Sequence, residues 1–293
     1  MEKLAVGGQA VVEGVMMKSP NYLSVAVRTP KGKIKVKKNR YKGIVEKLHL
    51  EKIFFIRGIF VLIDMLILGL KAIAFSANAS TDSKEEELSS WEIFWTILFA
   101  LIIALLIFKF LPLWLASFFQ TKTNLGNFWL ALTDGILKII FLIIYIWLIS
   151  RMKDVQRMFE YHGAEHKTVH AYEAGKKLTV QNVKKYVCAH DRCGTAFILI
   201  VFFVSIIFYM FIPASLIFWQ KLLWRIILLP IIAGISYEII KLAAKHHKNM
   251  LFRTILAPGL ALQKLTTKEP DKKQIEVAIA ALKSVLKAEK VKF

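Results

Sequence analysis

The sequence predicts a mainly α fold: a polytopic helical membrane protein with about four spanning helices, one interfacial or re-entrant helix and a small N-terminal β-hairpin. Three observations carry that expectation. Hydrophobic residues fill 56% of 293 positions and the mean hydropathy is +0.50, with several apolar runs longer than the roughly 18 residues that mark a crossing helix. Two cysteines, 7 prolines and 14 glycines argue against disulfide-framed, disordered and collagen-like chains. Charge departs the other way, since 41 Lys and Arg against 21 Asp and Glu leave +20. A polytopic chain with that surplus carries a large basic surface outside the bilayer.

Four segments are long and apolar enough to cross: residues 94–119, 128–150, 195–211 and 222–244. A fifth, 53–77, is interrupted by Arg57, Asp64 and Lys71. Their seven-residue spacing puts all three on one helical stripe, as in an interfacial or re-entrant helix or one facing a bundle interior. The positive-inside rule favours the surface or re-entrant reading. With it, the basic N-terminal arm, the segment 151–192 with nine Lys and Arg, and the tail from Lys245 with 11 all fall on one side. Residues 1–52 show no apolar secretory core. The expected organisation is a basic cytoplasmic arm (1–52), a helical membrane domain (53–244) holding a cytoplasmic segment (151–193), and a basic cytoplasmic tail (245–293). The acidic stretch 82–92 is the one piece that would suit the outside.

The flanks carry structure of their own. Residues 22–29 and 33–37 alternate around Pro30-Lys31-Gly32, a short β-hairpin. The run Leu265-Thr266-Thr267-Lys268-Glu269-Pro270 reads as a helix start. Beyond it, Ile275, Ala278, Ile279, Leu282, Val285 and Leu286 share one apolar face of an amphipathic tail helix.

Chemistry concentrates in Glu160-Tyr161-His162-Gly163-Ala164-Glu165-His166-Lys167-Thr168-Val169-His170-Ala171-Tyr172-Glu173. On a helix, His162, His166 and His170 share one side. His162, Glu165 and His166 spell H-x-x-E-H, the inverted zinc-hydrolase pattern, in which two imidazoles one turn apart hold a metal and the carboxylate deprotonates its water. A row of solvated histidines leaving the membrane is the plainer alternative. Gly163 disfavours a helix interior by about 1 kcal/mol, which points to His162 at a helix start or on a loop. His170 stands about 12 Å along the helix from His162, too far to share one ion. The third ligand then comes from elsewhere. Glu238, an ionisable group in the last span, is one choice, with a salt bridge to Arg225 or Lys241 as its other reading. His190 and Cys193, in Cys188-Ala189-His190-Asp191-Arg192-Cys193, are further choices. His170 and Glu173 complete the set, while His246-His247 reads as a headgroup-facing pair. Seven histidines are too few for a membrane di-iron oxygenase.

With these residues in view, the chain resembles the YqhQ-like family of bacterial integral membrane proteins. The likeness runs through Gly7-Gly8-Gln9-Ala10-Val11-Val12-Glu13-Gly14-Val15-Met16-Met17, Arg57-Gly58, Tyr161-His162-Gly163-Ala164-Glu165-His166-Lys167, Arg192-Cys193-Gly194-Thr195, Pro258-Gly259-Leu260 and residues 266–271. Asp191 stands where that pattern has proline. The resemblance implies a predicted metal-dependent enzyme in a bacterial cell (inner) membrane and supplies no substrate; the multi-pass topology with both termini cytoplasmic is the expectation from four spans and the positive-inside rule. It also directs attention to the N-terminal run, where Gln9 and Glu13 either reach the histidines or belong to a tightly packed arm with Glu13 salt-bridged.

Two functions are expected to compete. One is a membrane-embedded hydrolase, with zinc or another divalent transition metal on His162 and His166, a third ligand from Glu238, His190 or Cys193, and Glu165 as general base. The other is a non-catalytic membrane factor whose basic face binds membrane lipids of acidic headgroup, a membrane-bound ribosome or another anionic partner.

Overall fold

Residues 7–40 fold as an antiparallel meander of strands β1 (Gly7–Val11), β2 (Gly14–Lys18), β3 (Tyr22–Arg28) and β4 (Ile34–Arg40), in that spatial order. The β3–β4 turn is the expected hairpin, with Gly32 at φ 78° where a Cβ would be strained. The first two strands were not expected. Strand β2 is buried from Gly14 to Met17 on both faces, and β1 opens on two glycines, so neither shows the alternation that betrays a half-exposed strand. Val15, Met17 and Ala26 point to one side of the sheet, and Val11, Met16, Leu23, Val25 and Val27 to the other.

The computed structural model describes residues 4–81, 89–123, 126–190, 193–213, 215–246 and 249–291. Residues 82–88 of the acidic stretch, Asp191, Arg192 and His247 lie outside the described residues. After the sheet come a single turn α1 (Ile44–Lys47) and α2 (Ile56–Ala79). A continuous apolar rod follows, made of α3 (Ser90–Leu105), a π-helical turn Leu106–Phe110, and α4 (Leu111–Thr123). The π turn precedes Pro112, whose ring would clash with the carbonyl four residues back in an unbroken α-helix. Next are α5 (Asn127–Ile149), α6 (Lys153–Glu173), a short α7 (Val180–Val183) and α8 (Gly194–Tyr209). The chain ends with α9 (Phe218–Ile227), α10 (Leu229–Lys245), α11 (Met250–Thr266) and α12 (Lys272–Ala288).

Among the described residues, three helices are long and apolar enough to cross a membrane: Ile56–Ala79, Trp91–Thr123 and Asn127–Ile149. The α9–α10 pair makes a fourth if its 43° bend is a broken span. The bend falls at Leu228, next to Pro230 in the first turn of α10. Helix α8 has 16 residues, about 24 Å, short of a 30 Å hydrocarbon core. The expected segments thus reappear as helices, with 53–77 now long enough to qualify and 195–211 not.

Arm, loop segment and tail share one core. Helices α6 and α12 cover one face of the sheet, burying Tyr161, Ala164 and Val169 of α6 against Ile275, Ala278, Leu282, Val285 and Leu286 of α12. The apolar face expected of the tail helix is that buried face. Asp271 and Gln274 cap α12 reciprocally. Arg28 reaches across to the Lys273 carbonyl and the Glu276 carboxylate at 2.8 and 2.9 Å. The other face packs on α2 through Leu68, Ala72, Phe75 and Ala79. The Val12 amide donates to Ser76 Oγ at 3.1 Å.

The other end of α2 is tied to α10. A Cβ on Gly58 would lie 3.0 Å from the Gly234 carbonyl oxygen, and one on Gly234 would lie 2.6 Å from that of Phe55. Small residues let these backbones nearly touch. There Arg57 grips Glu238 with two hydrogen bonds of 2.6 and 2.5 Å. Asp64, buried, accepts from Tyr41 Oη at 2.6 Å and the Ile44 amide at 2.7 Å, while Lys71 is exposed. Two of the three stripe charges therefore serve tertiary contacts.

Candidate metal centre

Helix α6 is polar on average yet buried along most of its second half, including Glu165, His166, Lys167 and Thr168. His162 lies in its interior rather than at a start or on a loop. Gly163 is there for proximity: a Cβ would stand 2.1 Å from the Lys268 carbonyl oxygen and 3.1 Å from Cys188 Sγ. The strap between α11 and α12 crosses α6 at this residue, and the Lys268 amide donates to the Phe159 carbonyl at 3.0 Å.

That crossing orients the histidines. His162 Nδ1 is 2.9 Å from the Thr266 carbonyl oxygen, and His166 Nδ1 bonds the Cys188 carbonyl. A ring whose Nδ1–H is committed to a carbonyl presents Nε2 as the acceptor, the usual support behind a metal-bound imidazole. His162 Nε2 is 3.3 Å from Cys193 Sγ, and the two imidazole centroids are 4.4 Å apart. Ligand atoms of His162, His166 and Cys193 all lie within 4.8 Å of one another. Cys193 caps α8 and is buried. Burial pulls the His166 pKa down, favouring the neutral ring that ligates. Two imidazoles and a thiol suit zinc with one position left open.

Glu165 adjoins this group without belonging to it. Its Oε2 is 3.4 Å from His166 Nε2. Burial raises its pKa, opposed by the nearby His162 and His190 and by a hydrogen bond from the Gly8 amide. Gly8 has to be glycine for this, since a Cβ would meet Met16 O at 2.4 Å and Glu165 Cγ at 2.9 Å.

A second group assembles beside the first from His170, Glu173 and His190, again with ligand atoms within 4.8 Å. Gln263 of α11 holds the His190 backbone at both ends, accepting from its amide at 2.8 Å and donating to its carbonyl at 2.9 Å. Sequence reasoning missed Gln263 and the carbonyls of Thr266 and Cys188. A buried glutamine in an apolar helix is the only side-chain signal among them.

The remaining expected residues lie elsewhere. Glu238 belongs to neither group and pairs with Arg57, not with Arg225 or Lys241. Glu13 is bonded to Arg157 at 2.5 Å and approached by Tyr161 Oη at 3.3 Å, lining a groove of about 470 Å³ with Arg28, Lys273 and Gln274. Gln9 rests against Gly69 of α2. The packed-arm reading of the N-terminal run describes both. Cys188 donates to the Lys268 carbonyl and the Glu269 carboxylate at 3.6 and 3.5 Å, and burial raises its pKa to about 11, so it stays a thiol. His246 bonds the Leu242 carbonyl and stacks on Phe252.

Residues 53–288, which include every residue of both groups, match a family described as protein of unknown function (DUF1385). The uncharacterized protein YqhQ of Bacillus subtilis (strain 168) is 33% identical over 298 residues, covering 97% of this chain and 93% of that one. No solved structure matches the chain. On the shared ligand-bearing region and this end-to-end likeness, the chain belongs to the YqhQ-like DUF1385 family.

Proposed function

We propose that the protein is a membrane-embedded, zinc-dependent hydrolase with its site at the cytoplasmic bilayer surface of a bacterial inner membrane. The observation that supports it most is the convergence of His162, His166 and Cys193 beside the buried Glu165 carboxylate. Zinc, or another divalent transition metal, would sit on those three residues and supply an acidified water. Glu165, 3.4 Å from His166 Nε2, is placed to take a proton from such a water, and the Gly8 amide holds the carboxylate in place. The closely packed strap at Gly163 keeps both imidazoles aimed.

The same reading assigns α2 to the membrane surface. Its second half is covered by the sheet, which lipid could not surround, while Ile63, Leu66, Ile67 and Ile73 remain exposed and apolar. The rod of α3 and α4, α5 and the bent α9–α10 pair then cross, and α8, too short alone, completes a fourth crossing with the apolar residues 210–212 that follow it, which leaves both termini cytoplasmic. A second reading draws on β4, an edge strand exposing Lys35, Lys37, Lys38 and Arg40. This basic ridge suits acidic lipid headgroups or a ribosome, although lysines also guard sheet edges against pairing.

Replacing Glu165 by Gln separates the two. The hydrolase reading expects the variant to fold, to keep its metal and to lose complementation of a deletion strain, with a turnover loss on the order of 10²- to 10⁴-fold once a substrate is in hand. Full complementation by Glu165→Gln would leave the basic-face reading.

A further inference from the structure

We propose that His170, Glu173 and His190 form a second metal site, so that α6 carries a two-ion centre rather than one ion. This rests on reading the His162–His166–Cys193 group as a metal site and extends it.

His162 and His170 are eight residues apart on one helix, about 12 Å along the axis, too far for one ion. A row of three helical histidines therefore needs a partner from outside the helix at each end. The fold supplies both from one loop: Cys193 to the His162 end and His190 to the His170 end. Ring centroids follow one another along the row, His162 to His166 at 4.4 Å, His166 to His190 at 5.5 Å and His190 to His170 at 4.4 Å.

The second group is built like the first. His170 Nε2 is 2.7 Å from the Ala189 carbonyl oxygen, which fixes the ring as Thr266 and Cys188 fix the other two. The His190 main chain is clamped by Gln263, itself fully buried. Glu173, one turn beyond His170 and on the same side, brings Oε2 to 3.4 Å from His190 Nε2. Two nitrogens and a carboxylate oxygen are harder donors than the first group's two nitrogens and a sulfur. This site therefore accepts zinc, manganese or ferrous iron, while the first prefers thiophilic ions. Glu165 stands at the seam, against His166 and within the fields of both His162 and His190.

The test uses the full-length chain in detergent, saturated with zinc, stripped of loose metal on a chelating resin and assayed by mass spectrometry for zinc per chain. Wild type is expected to hold two, the double variant His170→Ala with Glu173→Gln one, and His162→Ala one, each with an unchanged far-UV circular dichroism spectrum. Should His170→Ala fail to fold, Glu173→Gln alone carries the test, with an expected 10- to 100-fold loss of affinity for one of the two ions. One zinc in wild type, kept by the His170 and Glu173 variants and lost by His162→Ala, would overturn the second site and leave the first. One zinc lost in both variants would mean a single shared ion and would likewise overturn it. No zinc in wild type would retire both.

Discussion

A Gly163→Val chain is expected to lose its metal affinity by at least 10- to 100-fold and to melt well below wild type. The cause is steric and local. Even one methyl at this position would sit 2.1 Å from the Lys268 carbonyl oxygen, a distance that only backbone movement can relieve. Moving Lys268 drags Thr266, whose carbonyl orients His162, and presses on Cys188, whose carbonyl orients His166. Overpacking in a tight interior costs about 1–3 kcal/mol and more where backbone has to shift, and misplaced carbonyl supports cost a metal site about 10- to 100-fold in affinity. Zinc titration and thermal melting of Gly163→Ala and Gly163→Val measure both effects. Wild-type affinity in Gly163→Val would show that the strap does not aim the histidines.

The second large effect lies at the far end of α5. Asp134 and Lys138 are fully buried and paired at 2.5 Å, and Arg225 of α9, 1% exposed, adds an Nη1 contact to the same carboxylate at 2.6 Å. Lys138 and Arg225 both lie 4.6 Å from the Tyr209 ring, and Lys109 bonds its hydroxyl at 3.2 Å. One carboxylate thus serves several cations among apolar helices. Replacing Asp134 by Asn strips that charge and leaves its partners facing each other. Removing one member of a buried ion pair typically costs about 3–5 kcal/mol. Asp134→Asn is therefore expected to lower the detergent melting temperature sharply, while Asp134→Leu combined with Lys138→Leu and Arg225→Met recovers most of the loss. An Asp134→Asn protein that melts like wild type would contradict this account of the cluster.

How much of this was legible in the sequence follows from the range of each signal. The row of histidines, the apolar face of α12 and the β3–β4 turn are all written within ten or so residues, so periodicity and turn chemistry expose them. Strand β2 escaped because helices cover both of its faces, which removes the alternation that marks a strand, and β1 escaped because its Gly7-Gly8 start carries no side-chain pattern. Gly163 was misread for an instructive reason. Its helix propensity argues against a helix interior, but a backbone crossing at 2.1 Å from its would-be Cβ outweighs a cost of about 1 kcal/mol. Glu238 illustrates long range: its partner Arg57 lies 181 positions away, and nothing local distinguishes that pairing from a ligand role. Of the three choices for a third ligand, the fold gathers Cys193 with one group and His190 with the other and leaves Glu238 with Arg57, a division set by tertiary contacts and not by local spacing. The carbonyls that aim the rings leave no trace in side-chain identity at all.

The central claim, a metal centre on His162, His166 and Cys193, is tested most directly by the absorption spectrum of the cobalt-substituted protein. A bound thiolate adds a sulfur-to-cobalt charge-transfer band in the near ultraviolet. That band is expected in wild type, expected to survive Cys188→Ser, whose thiol donates to the Lys268 carbonyl and the Glu269 carboxylate, and expected to vanish in Cys193→Ser and His162→Ala. A band that persists in Cys193→Ser, or a well-folded wild type that takes up no cobalt, would contradict the account.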